Sequence, residues 1–219
     1  MKQLQDMNDT NKKGFFSRKI LFGTSIGAAI FFIIVGMIFW AGFNWTLEAT
    51  NTEEFCISCH TMEEFVYPDY KNTAHYSNRT GVRATCPDCH VPKQYHHKLI
   101  TKIKATSDLY HEIMGTISTR EKYDARHHEM SQGVWRKMKA SDSRECRNCH
   151  DYSQMNAESQ EPAVAERHEK ALVEGMTCID CHMGIAHRLS DDFMEQEHEQ
   201  YLNDEVDCEQ CHKNIDDLM

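Results

Sequence analysis

Apolar and polar positions divide the chain into unequal parts. From Ile20 to Leu47 there is no charged side chain, and the apolar heart runs from Ile20 to Phe43 as ILFGTSIGAAIFFIIVGMIFWAGF. About 20 apolar residues cross a hydrocarbon core, so this stretch predicts one transmembrane helix. A cleaved leader would carry a shorter apolar run of about 7–15 residues. This one also continues into Trp40, Phe43 and Trp45, which suit the aromatic belt at a membrane interface. Gly23 and Gly27 form a G-x-x-x-G, a spacing that lets two helices approach and opens the possibility of an oligomer through the membrane helix.

Beyond Leu47 the pattern changes. Strand-like alternation is rare, and Lys93–Ile117 places Leu99, Ile103, Tyr110, Ile113, Met114 and Ile117 on an approximate stripe, which predicts one amphipathic helix. The fold class expected is mostly α with irregular loops: an N-terminal transmembrane helix plus a helical domain. The parts are a tail over 1–19, the anchor over 20–47, a main domain over 48–190 and a C-terminal extension over 191–219.

The candidate chemistry comes from the cysteines. All ten fall in five copies of C-x-x-C-H: Cys56, Cys59 and His60; Cys86, Cys89 and His90; Cys146, Cys149 and His150; Cys178, Cys181 and His182; Cys208, Cys211 and His212. This is the attachment motif of c-type haem. Two thiols bond one porphyrin and the adjacent histidine lies under its iron. A zinc site needs no histidine directly after the second cysteine, and a disulfide framework would not confine every cysteine to this spacing. The cofactor expected is therefore five covalently bound haem c, four in the domain over 48–190 and the fifth in the extension, so the fold is expected to be a multihaem cytochrome c domain with irregular haem-binding loops. The apolar side chains look too few for an ordinary core of this size, so the porphyrins would also supply buried surface.

Flanking charge orients the chain. Lys12, Lys13, Arg18 and Lys19 precede the anchor, whereas Glu48, Glu53 and Glu54 follow it. Positive flanks stay cytoplasmic. The reading is a single-pass protein of a bacterial inner membrane, N-terminus inside and haem motifs in the periplasm, where c-type haem is attached. A net charge of −10 excludes a nucleic-acid partner, which needs a basic face.

The motifs repeat. His60 and His90 lie 30 apart with His75 midway, and His150 and His182 lie 32 apart with His168 between them. A duplicated two-haem unit followed by a fifth haem is the simplest account, with His75 and His168 as distal iron ligands.

The anchor followed by FCISCHTM, together with AHYSNRTGVRATCPDCHVP, KATSDLY and CIDCHMGIAH, resembles the NapC/NirT family of membrane-anchored multihaem quinol dehydrogenases, including its five-haem TorC type. The resemblance implies oxidation of membrane quinol (menaquinol or ubiquinol) and delivery of electrons to a periplasmic reductase of nitrate, nitrite or N-oxide type. It implies Met62 as a ligand of the first iron, which leaves open whether His60 stays on that metal. It implies distal ligands His75, His168 and His187. By pattern, His187 goes to the haem of His150, His75 to that of His182, and His168 to that of His90. It also implies a quinol site of Asp108 and Lys102 beside the first haem, with Lys98 as substitute for the lysine. A carboxylate there can accept a proton and a lysine can orient the hydroxyl. Leu47 and Cys56 are nine residues apart, so the first haem lies within ~30 Å of the helix end.

The fifth motif departs from the four-haem pattern and lacks the long C-terminal domain expected of the TorC type. For its distal ligand His198 is favoured, with His96, His97, His111, His127 and His128 as alternatives. Asp191–Asp217 holds eleven acidic residues and one lysine, either a docking face for a basic partner or a solvated surface. Two further functions compete: an electron relay without its own quinol site, reduced by another membrane protein, and a terminal reductase. The latter needs an open iron, and no C-x-x-C-K variant is present.

Overall fold

The computed structural model describes residues 25–203. The tail Met1–Lys19, Gly23 of the G-x-x-x-G and the motif Cys208–His212 lie outside the described residues. The regular elements among the described residues are helical, as the sequence pattern suggests. The chain forms two compact units with the boundary after Thr50.

The first unit contains helix α1, Ile26–Ala49, two residues longer at its end than the sequence suggests. Ser25 caps it by accepting the Ala28 N–H at 3.2 Å. Its mean hydropathy of 2.4 and its 24 residues make it long and apolar enough to cross a membrane. Two of its polar side chains near the C-terminal end bond within the helix. Asn44 Nδ2 donates to the Trp40 carbonyl at 2.8 Å and Thr46 Oγ1 to the Gly42 carbonyl at 2.9 Å. Such back-bonding keeps polar groups paired where no water is available.

In the second unit each of the four described C-x-x-C-H motifs overlaps a short helical turn, which in the first and third motifs includes only the first cysteine of the pair. These are α2 (Glu53–Cys56), α4 (Cys86–His90), α8 (Arg144–Arg147) and α10 (Cys178–Cys181). The other α-helices between them are α3 (Tyr67–Lys71), α5 (Tyr95–Lys104), α6 (Thr106–Ile113), α7 (Arg120–Ala140) and α9 (Pro162–Glu174), and α11 (Phe193–Asn203) follows. Turns α2 and α4 pack together, as do α4 and α8, so consecutive motifs are stacked. Helix α7 backs the array and carries α10. Lys139 on α7 pairs with Asp180 on α10 at 2.8 Å.

The predicted helix Lys93–Ile117 is two helices. The Thr106 hydroxyl donates to the Ile103 carbonyl at 2.7 Å, a contact that bends helices, and α5 gives way to α6 at Ala105. Helix α6 stops short of Ile117 because Gly115 turns left-handed (φ 65°) and Thr116 N–H closes on the His111 carbonyl at 3.1 Å. The apolar core among the described residues of this unit is small and mainly aromatic: Phe65, Tyr70, Tyr123, Trp135 and Ile179.

Candidate haem sites

On a helical turn, residues i, i+3 and i+4 share a face, so both thiols and the histidine of C-x-x-C-H point one way. Backbone bonds hold that turn closed. His150 N–H donates to the Cys146 carbonyl at 2.8 Å and His182 N–H to the Cys178 carbonyl at 3.0 Å. In the second and fourth motifs a capping box adds rigidity. Asp88 Oδ2 accepts from the Thr85 N–H at 2.8 Å and the Thr85 hydroxyl at 2.6 Å. Asp180 Oδ2 does the same for Thr177 at 2.7 and 2.8 Å. The shared T-C-x-D-C-H was a readable sign of duplication that the histidine spacing alone does not reveal. The duplication extends to the thiols, since Cys56 contacts Cys86 and Cys146 contacts Cys178 by side-chain hydrogen bonds.

Three histidine pairs face one another. Ring centroids are 6.1 Å apart for His75 and His150, 6.2 Å for His90 and His187, and 6.1 Å for His168 and His182. Two imidazoles on opposite sides of one metal, each bonded at about 2 Å, have centroids about 6 Å apart, so the spacing fits an iron between each pair. The partners differ from those the sequence pattern suggested. His75 stands opposite His150 rather than His182, His187 opposite His90 rather than His150, and His168 opposite His182 rather than His90. Sequence distance misleads here because the stacked motif turns bring each lone histidine to a haem motif that packing, not spacing, selects.

The electrostatics suit metal binding, which requires neutral imidazole. Burial among protein atoms and the neighbouring His187 push His90 down to about 4, although the residue as a whole keeps exposed surface. Burial lowers His187, and burial with the nearby His168 lowers His182. The Nδ1 atoms of His75 and His187 are buried without a partner. Gln160 Oε1 lies 2.7 Å from His168 Nδ1; accepting there, it leaves Nε2 as the free lone pair.

The first motif is built differently. Among the described residues no histidine faces His60. Its Nδ1 is 3.3 Å from Glu64 Oε1 at the surface, and its ring lies 5.7 Å from Phe65. The chain then winds into a π-turn, Met62–Val66, with Met62 half-buried at its start. Such turns often mark functional positions. Thr61, fully buried, donates its backbone N–H to Glu112 Oε1 at 3.4 Å and its hydroxyl to the Ile117 carbonyl at 3.4 Å. Lys102 approaches the Phe55 ring at 6.0 Å. The hydrogen bond from Cys86 lowers the Cys56 thiol to about 7, with Lys102 helping. Lys102 thus stands at the first motif, but Asp108 is exposed on α6. The acid of α6 that reaches the motif is Glu112, one turn further on, which the sequence reading missed.

A second group escaped the sequence reading. Glu53 is buried, accepts the Tyr67 hydroxyl at 3.1 Å and pairs with Arg83, whose guanidinium lies 4.2 Å from the Tyr76 ring centroid. This ties the approach to the first motif to the strand of chain entering the second. Near the second histidine pair, Arg188 pairs with Asp69 at 3.6 Å, Asp124 at 2.7 Å and Asp191 at 2.8 Å, fixing the residue after His187.

For the fifth motif, the side chain of His198 on α11 lies outside the described residues, as does Cys208–His212. Of the alternatives, the His96 and His97 rings lie tilted with centroids 4.0 Å apart, His111 Nδ1 is 3.2 Å from Thr116 Oγ1, and His128 Nδ1 is 3.3 Å from Ser190 Oγ. His127 is buried against Tyr123 with its Nδ1 unpaired.

A model of the NapC/NirT cytochrome c family, N-terminal region, matches residues 20–192. That range contains the first four motifs and ends before Cys208. The denitrification system component NirT of Stutzerimonas stutzeri is 52% identical over 171 residues, covering 78% of this chain and 85% of that protein. The cytochrome c-type protein NapC of Escherichia coli K12 is 52% identical over 156 residues, 71% of this chain and 78% of that one. A putative tetraheme cytochrome c of Allochromatium vinosum is 50% identical over 152 residues, 69% and 82% of the two chains. No solved structure matches.

Proposed function

The chain belongs to the NapC/NirT cytochrome c family, and from that premise we propose that it oxidises membrane quinol and passes the electrons to a periplasmic reductase. It is a multihaem c-type cytochrome with one N-terminal helix fit for a membrane. The finer reading has five haems, the N-terminus in the cytoplasm, and the haem domain in the periplasm.

One observation carries the reading: of the four described motifs only the first departs from the facing-histidine arrangement, Lys102 approaches it, and Glu112 ties to it the helix α6 that also carries Asp108. A site that meets substrate needs groups that handle protons, whereas interior sites need only closed coordination. The haems supply one-electron sites in series. Cys56 and Cys59 would hold the first, with Met62 on its iron. His75 and His150, His90 and His187, and His168 and His182 would close three others. Cys208, Cys211 and His212 would hold the fifth, with His198 the proposed distal ligand.

Quinol releases two protons with its two electrons. Lys102 would orient the quinol hydroxyl, and Asp108 would accept the first proton from its open position on α6. Glu112 would hold the backbone between His60 and Met62. The reductase partner is of the nitrate, nitrite or N-oxide type, since the relatives include a NapC and a NirT.

The test mixes the purified, oxidised full-length protein with a menaquinol or ubiquinol analogue and follows haem reduction by visible absorbance. Rapid reduction is expected, slowed at least tenfold by Asp108→Asn with all haems retained. Full activity in Asp108→Asn removes that residue as proton acceptor. If neither quinol reduces a protein that dithionite reduces fully, the chain is a relay fed by another membrane subunit.

A further inference from the structure

Helices α5 and α6 expose an apolar face that nothing among the described residues covers. Ile100 is 50% exposed, Tyr110 59%, Ile113 74% and Met114 59%. These side chains do not face the first haem motif. Ile100 lies two residues from Lys102, and Tyr110 and Met114 each lie two residues from Glu112, the side chains that touch that motif. Two residues along an α-helix turn about 200°, so the three point to the far side of their helices.

We propose that this face rests on the bilayer surface, making α5–α6 a second, interfacial membrane contact beside the anchor. Chain length permits it. Ala49 ends α1 and Cys56 follows seven residues later, a reach of at most ~25 Å. Lys102 lies 6.0 Å from the ring of Phe55, next to Cys56, and Glu112 accepts the N–H of Thr61, next to His60, so α5 and α6 both lie against the first motif. The face therefore belongs to the part of the domain that follows the anchor after a short stretch of chain.

Charge favours lipid as the occupant. Between Asp88 and Asp108 the chain carries four lysines, Lys93, Lys98, Lys102 and Lys104, and no acidic residue, in a protein of net charge −10. A cationic fringe beside an apolar face is the composition of helices that lie in the headgroup region and bind anionic lipid. A basic fringe would repel the equivalent face of a second copy, which makes self-association the weaker occupant.

The experiment uses the wild-type holoprotein in liposomes of phosphatidylethanolamine and phosphatidylglycerol doped with a phospholipid bearing a diazirine on its acyl chain. After irradiation and trypsin digestion, lipid adducts are mapped by mass spectrometry. The tryptic peptide Ala105–Arg120 should carry adducts at least tenfold more often than the peptide containing Val173, which is 84% exposed on α9. Equal, background labelling of both peptides overturns the proposal, and so does crosslinking of Ala105–Arg120 to another copy of the chain instead of to lipid. The assay reads lipid contact and not electron transfer, so its failure leaves the quinol reading untouched.

Discussion

Replacing Ser143 should loosen the third and fourth haem motifs together. Ser143 is fully buried, adopts left-handed backbone (φ 46°, ψ 39°) after Asp142 (φ 53°), and accepts the buried Ile179 N–H on its Oγ at 3.2 Å. Ile179 lies inside the fourth motif, and Ser143 opens the turn of the third. Ser143→Ala keeps the left-handed Cβ but leaves the Ile179 N–H unpaired, which costs about 1–3 kcal/mol. Ser143→Gly empties the same acceptor but removes a left-handed Cβ worth about 1–2 kcal/mol, offset by about 0.5–1 kcal/mol of extra chain entropy. The glycine variant should therefore be the more stable of the two by roughly 0.5–1 kcal/mol. Urea unfolding of the holoprotein, followed by far-ultraviolet circular dichroism, reads both differences from the midpoints. If Ser143→Ala falls within about 0.5 kcal/mol of wild type, the range of an ordinary surface change, the bond between the motifs does not contribute as argued. If the glycine variant is the less stable, the left-handed cost is not being relieved.

Two other outcomes follow from the site geometry. His187→Gly should open one iron to exogenous imidazole, seen as a Soret shift. Removing the second haem attachment (Cys86→Ala with Cys89→Ala) should abolish that binding, whereas removing the third (Cys146→Ala with Cys149→Ala) should not; the reverse result refutes the pairing of His187 with His90. The capping boxes should also make the fold acid-sensitive. Burial alone would raise Asp88 and Asp180, but hydrogen bonds from Thr85 to the first, and from Lys139 and Thr177 to the second, leave both below the usual carboxylate range. Their stabilisation is present above the unfolded pKa of about 3.9 and is lost as pH falls through the lower folded values. An acid titration should show a transition below about pH 4 that weakens in Asp88→Asn with Asp180→Asn, and an unchanged transition would locate the acid sensitivity elsewhere.

The primary sequence determined the anchor, the helical class and the haem chemistry, because each is written in local pattern. An uncharged run of this length has few alternatives in water. A thiol, a thiol and an imidazole at i, i+3 and i+4 share a face wherever a turn forms. His75, His168 and His187 also stood out in the sequence, but the histidines that they face in the structure did not. Which imidazole meets which depends on how α2, α4, α8 and α10 stack, a long-range matter that spacing does not encode. The same holds at the first motif. The resemblance pointed to Asp108, whereas the bend at Ala105 and the turn at Gly115 decide that Glu112 reaches Thr61. Glu53, buried with Arg83 and Tyr67, reads in the sequence as one more acid in a charged stretch. Only tertiary packing, which removes a carboxylate from water and supplies its partners, sets it apart from the solvated acids beside it.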